Sequence, residues 1–371
     1  MNNLSSPPPI NQITTLPLGI SFFTFKAVSL IVDTYRGNIS LDGNFLNGVT
    51  YLSFFAHIQS GPISRYTDKG WIDGNPVLTW DNLSKGVSRF AIGLSKKVII
   101  ADSLLKIVNN AFSTAPENLS LSFAWLGAVC YSLQLFFDFS GYSDMAIGIS
   151  NMFGFSCSEN FNYPYMTQSI SEFWRKWHMS LGSWFRDYIY IPLGGSRVNN
   201  KLRLYFNLFV VWLLTGLWHG ANWTFIIWGL IYFVLISLEK TLNLPNILHH
   251  PVSRLIYRLI CLVVIIFLWV LFRSPTVTYG LQYIQAMVVP HAVPIADKRA
   301  LFLLKDNAAF ILMGLILCFP IIPRLEKRFM NNRQFYSLWS ILLSVIIVLG
   351  FLWSVSFVIT NTNNPFLYAN F

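Results

Sequence analysis

Charged side chains are scarce in this chain: Asp, Glu, Lys and Arg make up 11% of its 371 residues, where a water-soluble domain carries about 25%. That deficit argues against a string of soluble domains and for one embedded in lipid. Cysteine is sparse as well. Cys130, Cys261 and Cys318 sit inside apolar segments and Cys157 just after one, with no Cys-x-x-Cys pair. Neither a disulfide framework nor a zinc site is indicated, and buried free thiols are expected. No glycine-rich phosphate loop, Gly-x-Ser-x-Gly elbow or His-Glu-x-x-His pair occurs, which removes the standard nucleophile and zinc motifs. Residues 1–12 lack a basic stretch ahead of an apolar one, so they do not read as a secretory signal.

What is present is apolar and aromatic. Hydrophobic residues make up 54% and aromatics 16%, with 32 Phe and 13 Trp, a composition suited to lipid contact and interfacial belts. The formal charge is +10, but the bases sit in short loops and helix ends, the pattern of cytoplasmic positive charge on a membrane protein. The lipid bilayer is therefore the expected partner, and nucleic acid is not.

A span needs about 20 apolar residues. Residues 338–360 carry no charge, and 255–272 qualify if Arg258 snorkels. Residues 307–322, 121–137 and 16–32 are shorter candidates; Lys26 within the last should face protein or water. Residues 204–238 hold no charged side chain and as one helix would extend roughly 50 Å, too long for a single crossing. The chain must bend, and His219-Gly220-Ala221-Asn222 is the evident breaker, giving a helix pair bent at His219. Charge counting puts 172–203 and the loop holding Arg324, Lys327, Arg328 and Arg333 in the cytoplasm, and 361–371 outside. Residues 87–108, with Arg89, Lys96 and Lys97 along an apolar helix, read as an interfacial segment.

Three features can carry chemistry. In 170–190, Trp174, His178, Leu181, Phe185 and Tyr188 recur at three- and four-residue steps, so they share one face of an amphipathic or re-entrant helix. His219 lies in the uncharged run, where an imidazole is costly unless a cavity or partner satisfies it. It either cements two helices or acts as a general base, since imidazole titrates near neutral pH. Trp218 and Trp223 would exclude water, and Asn222 would bond the ring or an oxyanion. The third feature is Phe137-Asp138-Phe139-Ser140-Gly141-Tyr142-Ser143-Asp144, a polar island. It reads either as a helix break capped by Ser143 or Asp144 or as the lining of a hydrophilic tunnel. His249, His250 and His291 read as loop residues.

At these residues a family resemblance emerges. Ser171-Glu172-Phe173-Trp174-Arg175-Lys176-Trp177-His178, then Trp184-Phe185-Arg186-Asp187-Tyr188-Ile189-Tyr190-Ile191-Pro192-Leu193-Gly194-Gly195, then Leu217-Trp218-His219-Gly220-Ala221-Asn222-Trp223 closely resemble the membrane-bound O-acyltransferase family. The branch most similar is the bacterial alginate O-acetyltransferase subunit, which Leu18-Gly19-Ile20-Ser21-Phe22-Phe23, Gln59-Ser60-Gly61-Pro62-Ile63, 137–144 and Asn364-Pro365-Phe366 also match.

The resemblance implies an all-α polytopic fold, a ring of transmembrane and re-entrant helices around a central catalytic tunnel, as one domain over 1–371. The family's two characteristic histidines fall on His178 and His219, both expected to be catalytic, His219 as the general base and His178 orienting the donor or stabilising charge. Trp174, Arg175, Trp218, Asn222, Asp138 and Asp144 are the expected substrate-binding residues, with no metal and no bound cofactor. It further implies a cytoplasmic thioester donor, acetyl-CoA, a polysaccharide acceptor, a periplasmic acetyltransferase partner and location in the bacterial inner membrane. D-alanyl transfer to teichoic acid, a transporter and an inactive scaffold are the alternatives. Only 17 residues precede Leu18, so the chain is expected to be shortened at its N-terminus relative to the family.

Overall fold

Helix is the only regular structure among the described residues, as an apolar chain in lipid requires, because its backbone groups have no water to bond. A computed structural model of the chain describes residues 19–39, 45–68, 71, 76, 78–289, 295 and 297–360, with backbone alone at 245 and 246. His291, Leu18 and the Asn364-Pro365-Phe366 ending lie outside these.

Helices α1 (Ile20–Tyr35) and α2 (Phe45–Ser53) come first, followed by α3 (Trp80–Ser95), a wide π turn (Lys96–Ala101) and α4 (Asp102–Phe112). The long α5 (Leu121–Met152) leads to two short helices, α6 (Ile170–Lys176) and α7 (Met179–Phe185). A hairpin of α8 (Lys201–Trp218) and α9 (Trp223–Leu242) follows, then α10 (Leu244–Ile247), α11 (Pro251–Arg273) and α12 (Val277–Val288). The chain continues through α13 (Lys298–Asp306), α14 (Ala308–Leu317) and α15 (Ile321–Phe329) to α16 (Arg333–Thr360). Among them, α5, α9, α11 and α16 are long and apolar enough to cross a membrane, and α13 with α14, bent by 67°, makes a fifth if counted as one broken span.

The outer helices show which solvent they face. Only Ser354 of α16 is buried, while Leu338, Ile341, Val345, Leu349 and Leu352 stand exposed. A contiguous apolar face of that length is foreign to water; hydrocarbon is the solvent that fits it. By contrast α5 is buried over most of its length and forms the post around which α3, α4, α11 and α12 pack.

Two glycine crossings bring backbones into contact. A Cβ at Gly93 of α3 would lie 2.5 Å from the Gly141 carbonyl of α5, and one at Gly148 would lie 2.6 Å from that of Gly86. Gly86 and Gly93, like Gly141 and Gly148, stand two helical turns apart, so each pair lines one face. In the α8–α9 hairpin a Cβ at Gly229 would meet the Trp212 carbonyl at 2.5 Å. Small residues that let helices touch are the usual substitute for hydrophobic driving force in lipid. Substituting Gly93→Leu is expected to destabilise the fold by about 1–3 kcal/mol or more, read as a lowered unfolding temperature in detergent; an unchanged midpoint would contradict the crossing.

Several sequence expectations are corrected here. The polar island 137–144 does not interrupt the helix: α5 runs straight through it. Residues 87–108 are not one continuous helix with its bases left to lipid headgroups either. They form α3, the π turn and α4 against α5, with Lys97 buried. The two corrections share one cause, because Lys97 pairs with Asp102 and, at 3.3 Å, with Asp138, while Arg89 and Lys96 pair with Asp144. Residues 307–322 are no single span: the helix axis bends at Asn307, and α14 ends at Leu317. Lys26 does face protein, its ammonium bonding the Tyr51 carbonyl and lying 4.6 Å from the Tyr51 ring centroid.

Candidate functional site

Residues 170–190 were expected to form one amphipathic helix. They break instead at His178, which takes left-handed backbone angles, φ 45° and ψ 54°. Strained backbone of this kind in a non-glycine residue persists only where its surroundings enforce it. Here the loop before α6 does so. The Asn162 N–H donates to the Lys176 carbonyl at 3.0 Å, and the Met179 N–H donates to the Asn160 carbonyl at 2.9 Å. His178 is thus held between two backbone bonds from a segment well upstream.

The start of α6 is pinned with equal care. The Ser169 hydroxyl accepts from the Glu172 N–H, and the Glu172 carboxylate accepts from the Gln168 N–H, a close variant of the capping box. Glu239, buried near the end of α9, accepts from the Ile170 N–H (2.6 Å), the Ser171 N–H (2.9 Å) and the Tyr257 hydroxyl (2.6 Å). These bonds satisfy donors that a helix start leaves open. Sequence reasoning missed Glu239; its only signal was being the first charge after the long uncharged run.

The second histidine sits where the bend was expected. Helix α8 ends at Trp218, His219 is its C-cap and α9 begins at Trp223. The His219 ring is buried and packs against Trp228 (5.3 Å between centroids), Phe272 (4.9 Å) and Trp218 (4.6 Å). The same Trp218 indole lies 5.9 Å from the His178 ring. His178 also meets Phe139 edge-on at 4.7 Å and stacks on Phe22 at 6.5 Å. One indole therefore joins two imidazoles that stand 41 positions apart in the chain, and α1, α5, α8, α9 and α11 all supply walls.

Those walls carry donors and acceptors with no hydrogen-bond partner among the described residues: the indole nitrogens of Trp174, Trp218 and Trp228, the Tyr232 hydroxyl and His178 Nε2. Buried Trp and Tyr polar atoms ordinarily find a partner. The unmet atoms gather around the two histidines.

Residues 20–282 match the membrane-bound O-acyltransferase family. The chain belongs to it. Similar members include the probable alginate O-acetylase of Pseudomonas aeruginosa, 43% identical over 87% of this chain and 59% of that protein. The peptidoglycan O-acetyltransferase of Helicobacter pylori is 32% identical over 96% of this chain and 75% of its own length. The teichoic acid D-alanyltransferase of Bacillus subtilis is 34% identical over 62% of this chain and 60% of its own. The chain spans only a little over half the length of such alginate relatives, 52% and 59% for two of them.

In this member of the O-acyltransferase family the other expected site residues fall into two groups. Trp174 stays with the histidines, packed on Trp212 (4.9 Å), Tyr232 (4.9 Å) and Trp228 (5.4 Å). Asn222 does not turn its amide to His219. Its oxygen accepts from the Thr224 N–H and its nitrogen donates to the Pro275 carbonyl, each at 3.1 Å, so it caps α9. Asp138 and Asp144 face the cations of α3 and the π turn. Arg175 is exposed and has no ion-pair partner among the described residues, whereas Lys176 pairs with Glu172 and Arg186 with Asp187.

The other described histidines, His57, His249 and His250, lie apart from this site. His249 and His250 are exposed, and His250 caps α11. His57 is buried on Ser64, Ser150 and Cys157. All four cysteines are free thiols.

Proposed function

We propose that this chain is an inner-membrane O-acyltransferase that moves an acetyl group from acetyl-CoA onto a hydroxyl of an extracytoplasmic, alginate-like polysaccharide. The observation that carries it is the pairing of His178 and His219 on Trp218 within a buried aromatic cluster. His219 takes the hydroxyl proton while that oxygen attacks the thioester carbonyl. A C–O bond forms, the C–S bond breaks, and the imidazolium returns its proton to the departing thiolate. The products are an ester and the free thiol. The surrounding indoles and Phe272 keep water from competing for the thioester. Where a periplasmic acetyltransferase supplies the attacking hydroxyl, it passes the acetyl group on to the polymer in a second ester exchange.

The similarity to alginate and peptidoglycan O-acetylating relatives favours acetyl over D-alanyl as the group moved. Incubating the purified protein in lipid nanodiscs with labelled acetyl-CoA and an oligosaccharide acceptor tests this. Thiol release together with labelled ester supports the proposal. Release only from a D-alanyl carrier protein moves the chain to the teichoic acid branch. Binding or passage of substrate without release from either donor makes it a scaffold or transporter and ends the enzyme assignment.

Arg175 gives a second test. Exposed on the helix that leads to His178, it is placed to attract a donor bearing phosphates. The Arg175→Glu variant is expected to raise the acetyl-CoA KM on the order of tenfold with kcat unchanged. The difference should shrink as salt screens the charge; a KM equal to wild type at low salt would exclude the role.

A further inference from the structure

The bonding around Asn160 fixes which nitrogen of His178 carries the proton. Asn160 Oδ1 accepts from the Ser180 backbone N–H at 3.3 Å and from the Ser180 hydroxyl at 2.9 Å. That hydroxyl in turn accepts from the Ile63 N–H at 2.9 Å, so its own hydrogen is directed to Asn160. The amide nitrogen donates to the Ser143 hydroxyl at 3.0 Å. A flipped amide would set NH2 against a backbone N–H, so the oxygen must be the atom on this side. The same oxygen lies 3.0 Å from His178 Nδ1. An acceptor there requires Nδ1 to be the donor. In neutral His178 the proton is therefore on Nδ1, and Nε2 carries the lone pair.

Nε2 is the atom left over. It is buried, the residue being 2% exposed, and has no hydrogen-bond partner among the described residues. We propose that Asn160 is a positioning residue that locks His178 in the Nδ1–H tautomer, so that Nε2 accepts a hydrogen bond from an O–H of the acceptor alcohol. His178 then orients the alcohol beside His219; it does not donate to a developing oxyanion. This rests on the acyltransferase reading above for the identity of the donor to Nε2, whereas the tautomer follows from the protein's own bonds. Asn160 also joins the parts of the site, because its partners lie on α5 (Ser143), α7 (Ser180) and the kink itself.

The test uses the full chain in nanodiscs with 15N-labelled histidine, reading the His178 tautomer by solid-state NMR alongside acyl-transfer kinetics. Wild type is expected to show Nδ1–H. Asn160→Leu, branched at the same carbon but without an acceptor, is expected to lose that preference. Its kcat should fall by about 10–100-fold, the range for partners that orient an imidazole, with the donor KM unchanged. Asn160→Asp keeps an oxygen at the same place and is expected to preserve both the tautomer and most of kcat. An Nε2–H tautomer in wild type overturns the proposal whatever the activity. So does a fully active Asn160→Leu, or an Asn160→Asp that keeps the tautomer yet is as impaired as Asn160→Leu. Absence of acyl transfer in wild type with the Nδ1–H tautomer present sinks the function assignment and leaves the positioning role of Asn160 standing.

Discussion

His219→Ala is expected to reduce acetyl transfer by about 10²–10⁴-fold, the usual contribution of a positioned acid–base group, while expression and membrane insertion stay normal. The ring sits at the C-terminal end of α8 and touches Trp218, Trp228 and Phe272. Deleting it opens a hole among large aromatics, so some loss of stability accompanies the loss of rate. His219→Gln separates the two effects, filling most of the volume and keeping hydrogen-bonding atoms without a base near neutral pH. Both variants should bind acetyl-CoA with an unchanged Kd while releasing thiol more slowly by that factor. Wild-type turnover in either would remove His219 from the chemistry and leave it as a packing residue between two helices.

The second large effect concerns the charges between α5 and the π turn. Lys97 and Asp138 are both buried, and Asp102 shares the lysine. Removing one member of a buried ion pair strands its partner and costs about 3–5 kcal/mol, whereas replacing the whole set with apolar groups is often neutral or stabilising. Lys97→Met is thus expected to unfold the protein at a much lower temperature. Lys97→Met combined with Asp138→Leu and Asp102→Leu should recover most of the loss. The triple variant also decides what Asp138 is for. If it only neutralises Lys97, the recovered protein transfers acetyl groups normally. If the carboxylate binds substrate, the recovered protein is folded and inactive.

The contrast between these two sites shows what the sequence made legible. The bend at His219 was readable because length alone forbade a single helix, and Gly220 and Asn222 lay where a break was needed. The burial of His178 among aromatic rings was readable from its spacing with Trp174 and Leu181, but its kink was not. The three- and four-residue spacing of Trp174, His178 and Leu181 continues through the break, because the left-handed backbone there is imposed by Asn160 and Asn162. Nothing in a stretch reading Asn160-Phe161-Asn162-Tyr163-Pro164 announces more than a turn. Asp144 resembled a helix cap, and both it and Asp138 tunnel lining, because their countercharges stand 41 or more positions away, on a segment that resembled an interfacial helix. Amphipathic periodicity identifies a polar stripe; it does not say whether lipid headgroups or buried carboxylates meet it.

The grip of Glu239 on the beginning of α6 has a mechanical consequence. Helix α9 starts four residues after His219 and ends just past Glu239, while α6 runs back along it, Ser171 at Glu239, Trp174 at Tyr232 and Trp228. The helix therefore works as a gauge rod whose two ends set the spacing of the imidazoles. Removing one residue from it would slide the carboxylate by about 1.5 Å and swing it by about 100°, pulling the two rings out of register without touching either.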